Sequence, residues 1–536
     1  MDLPATVPVR RLRPETLSSG RTTRHVLTLS SALRPDLAAI GAVAALFYAF
    51  FLFGGYSKFF RDSDTGWHIR TGEMILRTGS LPHTDPFSFS LAGQPWVAWE
   101  WLSDVLMGAV HQSMGLTGVA ALYGLAIATG VWLWFRLNWD LGGNFILASM
   151  LASPMLSTCN IHWLARPHVL SWVFLLAAVR FCVRLEGRLS RGQMAGVALA
   201  TAIWTNIHAS FFFAVLIPAV WALGSWMRGL IWDVPDESDR TRGYMQTALI
   251  AAAASFLNPY GWSLHWHILR YLTDRNLLDR VGEFQSFNFH VEGAIPITIA
   301  LSVGMAGAAF SLGVRRVEWA LLSGLLVAAS LRSARTLPMM ALVALPFANA
   351  AITEVLRSAK GLRPQVRGWI DGFLNYGDRL RVLDSRNNGV LAGAAGCAAL
   401  VALLAAPGIQ AKTGFPRDQF PVEASAAVAK LPADARLFAP DKFGGYLIYK
   451  FNGNRKVFFD GRSDFYGAGF LKDYGRIVQA RPGWQRLFQS FGCTYALLPD
   501  DSSLVGALEG RGWKVLHRDA TATLLMAPGS DQSGAN

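Results

Sequence analysis

The residues able to share a reaction crowd into one stretch. Arg61 to Pro86, RDSDTGWHIRTGEMILRTGSLPHTDP, carries Asp62, Asp64, His68, Glu73, His83 and Asp85. It follows the first long apolar run of a chain that is mostly apolar. Carboxylates and imidazoles beside a bilayer need water or partners. The stretch reads as an acidic loop at the mouth of an active site. Asp62 and Asp64 lie two apart and could both reach a divalent cation or a bound hydroxyl. The plainer alternative is a solvated loop whose charges pair with Lys58, Arg61 and Arg70. His68 suits proton relay, or an interfacial imidazole satisfied by backbone. Asp85, just before Pro86, favours a structural Asx turn.

Further polar residues stand at the ends of later apolar runs. They are Glu100; Arg166 and His168 in LARPH; His208 in WTNIHASFF; Glu283 in GEFQSF; and Arg332 and Arg335 in LRSART. Each has a structural alternative. Glu100 could be the wet face of an interfacial helix. Arg166 could end a span and snorkel. His208 could cap a helix, and Glu283 could pair with Arg280. Together they supply a carboxylate to take a proton, imidazoles to orient or relay, and arginines to hold phosphate oxygens in bidentate fashion. That set suits transfer from a phosphate-activated lipid. Near the C-terminus, Asp460-Gly-Arg462 and Asp464 follow an expected strand. Turn formation is the default there, with acceptor contact as the alternative.

The elements that must hold these residues are membrane helices. The chain has 536 residues, is 52% hydrophobic and 16% charged, with 19 Trp and 33 Phe. Soluble chains carry more charge. The net charge of +13 could suggest nucleic acid. That partner is excluded, because the arginines sit in short loops between apolar runs, as the positive-inside rule expects. The four cysteines form no CxxC pair and no metal spacing, and read as free buried thiols.

In chain order, residues 1–36 form a basic cytoplasmic tail. Residues 37–410 form a membrane domain of about eleven spans. Its first outer loop, 57–115, is long and ends in an amphipathic helix, Trp96 to Gly115. Glu100, Asp104, Gly108 and His111 line one face of that helix. It is expected to lie in the interface rather than to cross. Charge parity agrees: if it crossed, every later loop would change sides and the arginine bias would reverse. With it in the interface, the candidate residues all face the outer side. The basic loop 357–388 stays cytoplasmic and suits contact with anionic lipid.

Residues 411–527 are a different kind of sequence. Strands are expected at 435–439, 456–460, 495–499, 513–517 and 522–526, and helices at 470–479, 484–491 and 504–510. This predicts a small periplasmic α/β domain with a core of its own. Residues 528–536 read as a disordered tail.

The run DTGWHIRTGEMILRTGSLPHTDPFSF…PWVAWEWLSD, with ARPH, WTNIH, NPYG and GGYLIYKF…VFFDGRSDFYG, resembles the C-type (GT-C) membrane glycosyltransferases. These include protein mannosyltransferases, aminoarabinose transferases and oligosaccharyltransferases. The resemblance covers most of residues 37–525. It implies a multi-pass protein of the bacterial inner membrane that transfers a sugar, with inversion, from a polyprenyl-phosphate donor to a glycan, lipid or protein acceptor at the periplasmic face. An acidic residue of the first outer loop would be base or acceptor-holder, a role falling on Asp64 or Asp62. Protein mannosyltransferases carry an adjacent Asp-Glu there. This chain has Asp-Ser-Asp, so the choice of base and any divalent cation stay open. No GxxxxGK[ST] motif appears, in keeping with a lipid donor.

Two other classes remain. A secondary transporter or flippase would show repeated halves and ions near mid-membrane. A non-catalytic envelope-assembly protein would act through its tail. No internal repeat is present, and the polar residues favour one surface.

Overall fold

The computed structural model describes residues 29–232 and 237–529. Most of the expected basic tail and most of the expected disordered tail lie outside the described residues. Every apolar run expected to span is helical. Among the described residues, six helices are long and apolar enough to cross a bilayer. A seventh arises if Pro364–Ser385 and Val390–Leu404, bent by 77°, count as one span. These helices make the molecule a polytopic helical membrane protein. The difference from about eleven spans lies mainly in short helices such as Phe145–Asn160 and Val317–Arg332. A helix of 16 residues rises only about 24 Å, less than the hydrocarbon thickness.

Trp101–Asp140 runs for 40 residues but breaks at Gly115, whose backbone stands at φ 61, ψ −155. An unbroken helix of that length would measure about 60 Å, twice the bilayer core. The break falls at the residue where the interfacial helix was expected to end.

The stretch expected as a loop after the first span is largely a helix, Asp64–Thr78. Gly79 ends it in the left-handed conformation, its N–H donating to Ile75 O at 2.8 Å. Trp67, Ile69 and Ile75 are buried, so an apolar face pays for ordering a stretch whose charges suggested a solvated loop. The helix crosses Trp101–Asp140 backbone to backbone. A β-carbon on Gly72 would lie 1.7 Å from Asp104 O, and one on Gly108 2.6 Å from Glu73 N. This crossing sets His68 opposite Asp104, each one turn before its glycine.

The C-terminal region forms a four-stranded sheet: β1 Leu437–Phe438, β2 Tyr495–Pro499, β3 Lys514–Arg518 and β4 Ala522–Met526. The order is β1-β2-β4-β3, with β1 parallel to β2 and the other pairs antiparallel. The strand expected at 456–460 does not join the sheet. Val457 instead pairs with the loop after the first span, donating to Phe87 O at 2.9 Å and accepting from Phe89 N at 3.0 Å. Asp441–Lys450, not foreseen as a helix, packs against Asp64–Thr78. The region therefore shares its core with the first loop: Trp67, Phe87 and Trp96 pack in one cluster with Phe443, Leu447 and Leu524. All four cysteines are free and buried.

Candidate functional site

Asp64 opens its helix, and Asp62 Oδ1 accepts from the Asp64 N–H at 2.9 Å. Arg166 stands extended before Pro167, which begins the helix Pro167–Arg184. Proline disfavours helical backbone in the residue before it, so the Arg166 side chain leaves the helix end and turns toward the first loop. Its guanidinium contacts Asp62 at 2.9 Å, Asp64 at 2.8 Å and Glu283 at 2.6 Å. Glu283 also meets Arg335 at 3.3 Å, whose guanidinium lies over the Phe284 ring. The structural alternatives named other partners: Lys58, Arg61 and Arg70 for the aspartates, Arg280 for Glu283. Lys58 and Arg61 turn instead to Asn160 and the backbone after it, and Arg70 to Glu73 and Tyr449 O.

These residues line a polar cavity of about 460 Å³. Asp62, Asp64, Glu100, Arg166, Glu283 and Arg335 all reach its wall. The C-terminal region supplies the rest, from Asp441 and Lys442 and from Gly461 to Asp464. A β-carbon on Gly461 would lie 1.8 Å from Asp64 Oδ1, so only glycine lets this loop close against the carboxylate. Arg462 pins the loop. It is buried, bonds Asp460 at 2.7 Å and Asp85 at 2.8 Å, and stacks on Trp96. Asp85 forms the expected Asx turn, accepting from Phe87 N at 3.0 Å.

A second cavity of about 320 Å³ adjoins the first. It is mainly apolar, lined by residues such as Phe212, Phe213 and Met339, and Arg275, Arg332 and Arg335 also line it. Trp99, Tyr271 and Arg335 belong to both cavities.

Burial pushes the Asp64 carboxyl up to about 7, against the pull of Arg166. Burial pushes Glu100 up to about 8, opposed by Arg166 and Arg335. Burial would raise Glu283 too, but Arg166 and Arg335 outweigh it and hold that group below the usual carboxylate range. The wall thus holds carboxyls of different proton affinity beside fixed positive charge, the condition for acid and base roles in one site.

Not every expected residue reaches a cavity wall. His68 is fully buried behind Glu100, with Nδ1 2.6 Å from Asp104 Oδ1. His168 is buried and Nε2 donates to His162 O at 3.1 Å. His208 and Arg332 line the apolar cavity, and His208 stands 3.6 Å from Glu100. Tyr271, Trp99, Asp441 and Lys442 were not singled out in the sequence. Aromatic residues are common throughout this chain, and nothing local marks the last two as facing a loop nearly four hundred positions earlier.

A divalent cation does not fit the carboxylates as arranged. Asp62, Asp64 and Glu283 already surround the Arg166 guanidinium, which stands where a cation would bind. Among the described residues no group of three or more His, Cys, Asp or Glu side chains is arranged as a metal site.

No family model matches the chain, and no curated protein matches it. Solved structures do. The oligosaccharyltransferase of Archaeoglobus fulgidus, in complex with Zn and sulfate, is similar at TM-score 0.50 and 12% identity, over 86% of this chain and 68% of that one. ArnT from Cupriavidus metallidurans bound to undecaprenyl phosphate gives TM-score 0.42 and 14% identity, over 93% of this chain and 99% of that one. At such identity the likeness concerns fold alone, and the weaker match adds no argument. With these helices and the C-terminal α/β region in place, the chain has a GT-C-like membrane fold.

Proposed function

We propose that the protein is a membrane glycosyltransferase of the bacterial inner membrane, moving a sugar from a polyprenyl-phosphate donor to a glycan, lipid or protein acceptor at the periplasmic face. One observation carries this reading: a polar, carboxylate-lined cavity and a mainly apolar cavity that also holds arginines share a wall made by Trp99, Tyr271 and Arg335. An amphiphile with an anionic joint fits such a pair. Its chain takes the apolar cavity, its phosphate meets Arg335 and Arg332, and its sugar enters the polar cavity. The similar Archaeoglobus protein is itself an oligosaccharyltransferase, which supports a sugar as cargo.

Asp64 is the proton acceptor in this reading. Near neutral pH it is poised between its two forms, and Arg166 with Asp62 fixes its direction. The acceptor hydroxyl gives its proton to Asp64, its oxygen attacks the anomeric carbon, and polyprenyl phosphate leaves from the opposite side with inversion. Arg332 and Arg335 supply positive charge to the departing phosphate.

The test is transfer by the purified full chain in lipid nanodiscs, using a panel of radiolabelled undecaprenyl-phosphate sugars with an envelope extract as acceptor. Transfer that falls by more than about 100-fold in Asp64→Asn supports the reading. Movement of the lipid across vesicles without sugar transfer would overturn it in favour of a flippase.

A further inference from the structure

A third cavity, of about 420 Å³, adjoins the polar one, and the chemistry described above leaves it without a role. The two share Trp96, Tyr271 and Asp464. With the apolar cavity it shares Tyr271 but none of that cavity's arginines. Three segments build it: residues 95–97, the helix Trp262–Thr273 with the turn after it, and the loop that follows Arg462. Its size falls in the range of small-molecule sites, about 300–1,000 Å³.

The wall mixes aromatic rings with charged groups. Trp266 is 52% exposed and forms no ring pair among the described residues, so its indole offers a flat apolar platform. Phe465 lines the same cavity. Asp464 is engaged on one side only. Its Oδ2 lies 2.9 Å from His267 Nε2, and no group among the described residues hydrogen-bonds or pairs with Oδ1. The Asp464 side chain is only 9% exposed, so that oxygen is kept for a partner within the two cavities it lines. Arg270 and Asp274 bring charges of both signs to the wall. The helix Ser463–Val478 breaks at Gly467, with φ 75 and ψ 167, and a β-carbon there would meet nothing within 4 Å. The missing side chain leaves that part of the cavity open.

From this wall we infer that the third cavity binds the acceptor, and that the acceptor is a glycan. The inference rests on the function proposed above and chooses among its three acceptor classes. A pyranose has an apolar C–H face that packs on an indole or phenyl ring. Its hydroxyls need acceptors such as Asp464 and donors such as Arg270. An extended peptide would seek a strand edge, and no lining residue belongs to any of the four strands. A lipid tail would leave His267, Arg270, Asp274 and Asp464 facing hydrocarbon without partners. Asp464 then holds a sugar hydroxyl at the boundary, and the neighbouring hydroxyl extends into the polar cavity as the nucleophile. Its proton goes to Asp64, and the bonds made and broken are those given above. Asp464 and Trp266 bind and do not react.

Binding is tested on the full chain in nanodiscs with no sugar donor present. The probes are oligosaccharides released from the envelope extract by mild acid and freed of lipid and protein. A protease digest of the same extract supplies peptides for comparison. Saturation-transfer NMR should show the oligosaccharides bound. Asp464→Asn and Trp266→Ala should each weaken that binding by about tenfold or more, the scale of one lost hydrogen bond to a charged group or one lost ring contact. Affinity for undecaprenyl phosphate should stay within about twofold in both variants, because its cavity is lined by neither residue. No oligosaccharide binding, or binding equal in both variants and the parent, overturns the inference. So does binding of the peptides in place of the oligosaccharides. Oligosaccharide binding with the expected losses, in a protein that transfers no sugar from any donor of the panel, overturns the acceptor role together with the transferase reading and leaves the cavity a glycan site.

Discussion

Gly461 and Asp64 are separated by nearly four hundred positions, yet the space beside Gly461 Cα is filled by the Asp64 carboxylate. A β-carbon there would stand 1.8 Å from Oδ1 and 2.7 Å from Cγ. The C-terminal region is therefore part of the site wall. Gly461→Ala must push the loop or the carboxylate aside. Transfer is expected to fall by about 100-fold, the usual scale when a reacting group is displaced by an ångström. The melting temperature should change little, since Arg462 still anchors the loop to Asp85 and Asp460. Activity and thermal unfolding, measured side by side, check both halves.

Arg166 is expected to matter for stability as much as for chemistry. It is the shared partner of Asp62, Asp64 and Glu283. Arg166→Ala leaves the buried Asp64 and the half-buried Asp62 and Glu283 without it, a loss of up to about 3–5 kcal/mol, the scale when one side of a buried pair is removed. Arg166→Lys should recover part of this but not the geometry, because an ammonium cannot serve three carboxylates with a planar fork. Denaturation of the three proteins gives the ranking.

Glu100 gives a signed prediction for pH. Its folded value, about 8, lies above that of a solvated carboxyl, so its contribution favours folding at low pH and is lost as pH rises through about 8. Glu100→Gln carries no such charge. The variant should therefore gain melting temperature relative to the parent at pH 9 and show no such gain at pH 5. Equal offsets at both values would show that Glu100 does not titrate as its surroundings require.

Activity should also respond to pH through Asp64. It is expected to rise as that carboxyl loses its proton near pH 7. Asp64→Asn should abolish the activity. A profile flat from pH 6 to 9 would contradict the assignment.

Chelation offers a further check. The guanidinium of Arg166 already stands among the carboxylates best placed to hold a cation. Treatment with EDTA should leave transfer within about twofold, whereas Arg166→Ala should not be rescued by added magnesium, manganese or zinc.

Much of this architecture was legible before any coordinates. Long apolar runs with arginines in short loops can only be membrane helices. Gly115 broke the long helix where amphipathic spacing gave way to an apolar run. Asp85-Pro86 declared its own turn, because an Asx turn is made within three residues. Partnership was not legible. That Arg166 serves Asp62, Asp64 and Glu283, that His68 stands behind Glu100 on Asp104, and that Val457 leaves its sheet to pair beside Phe87 all depend on how distant segments pack. Spacing along the chain reports contacts one or two turns away, and the carboxylates around Arg166 come to it across the fold.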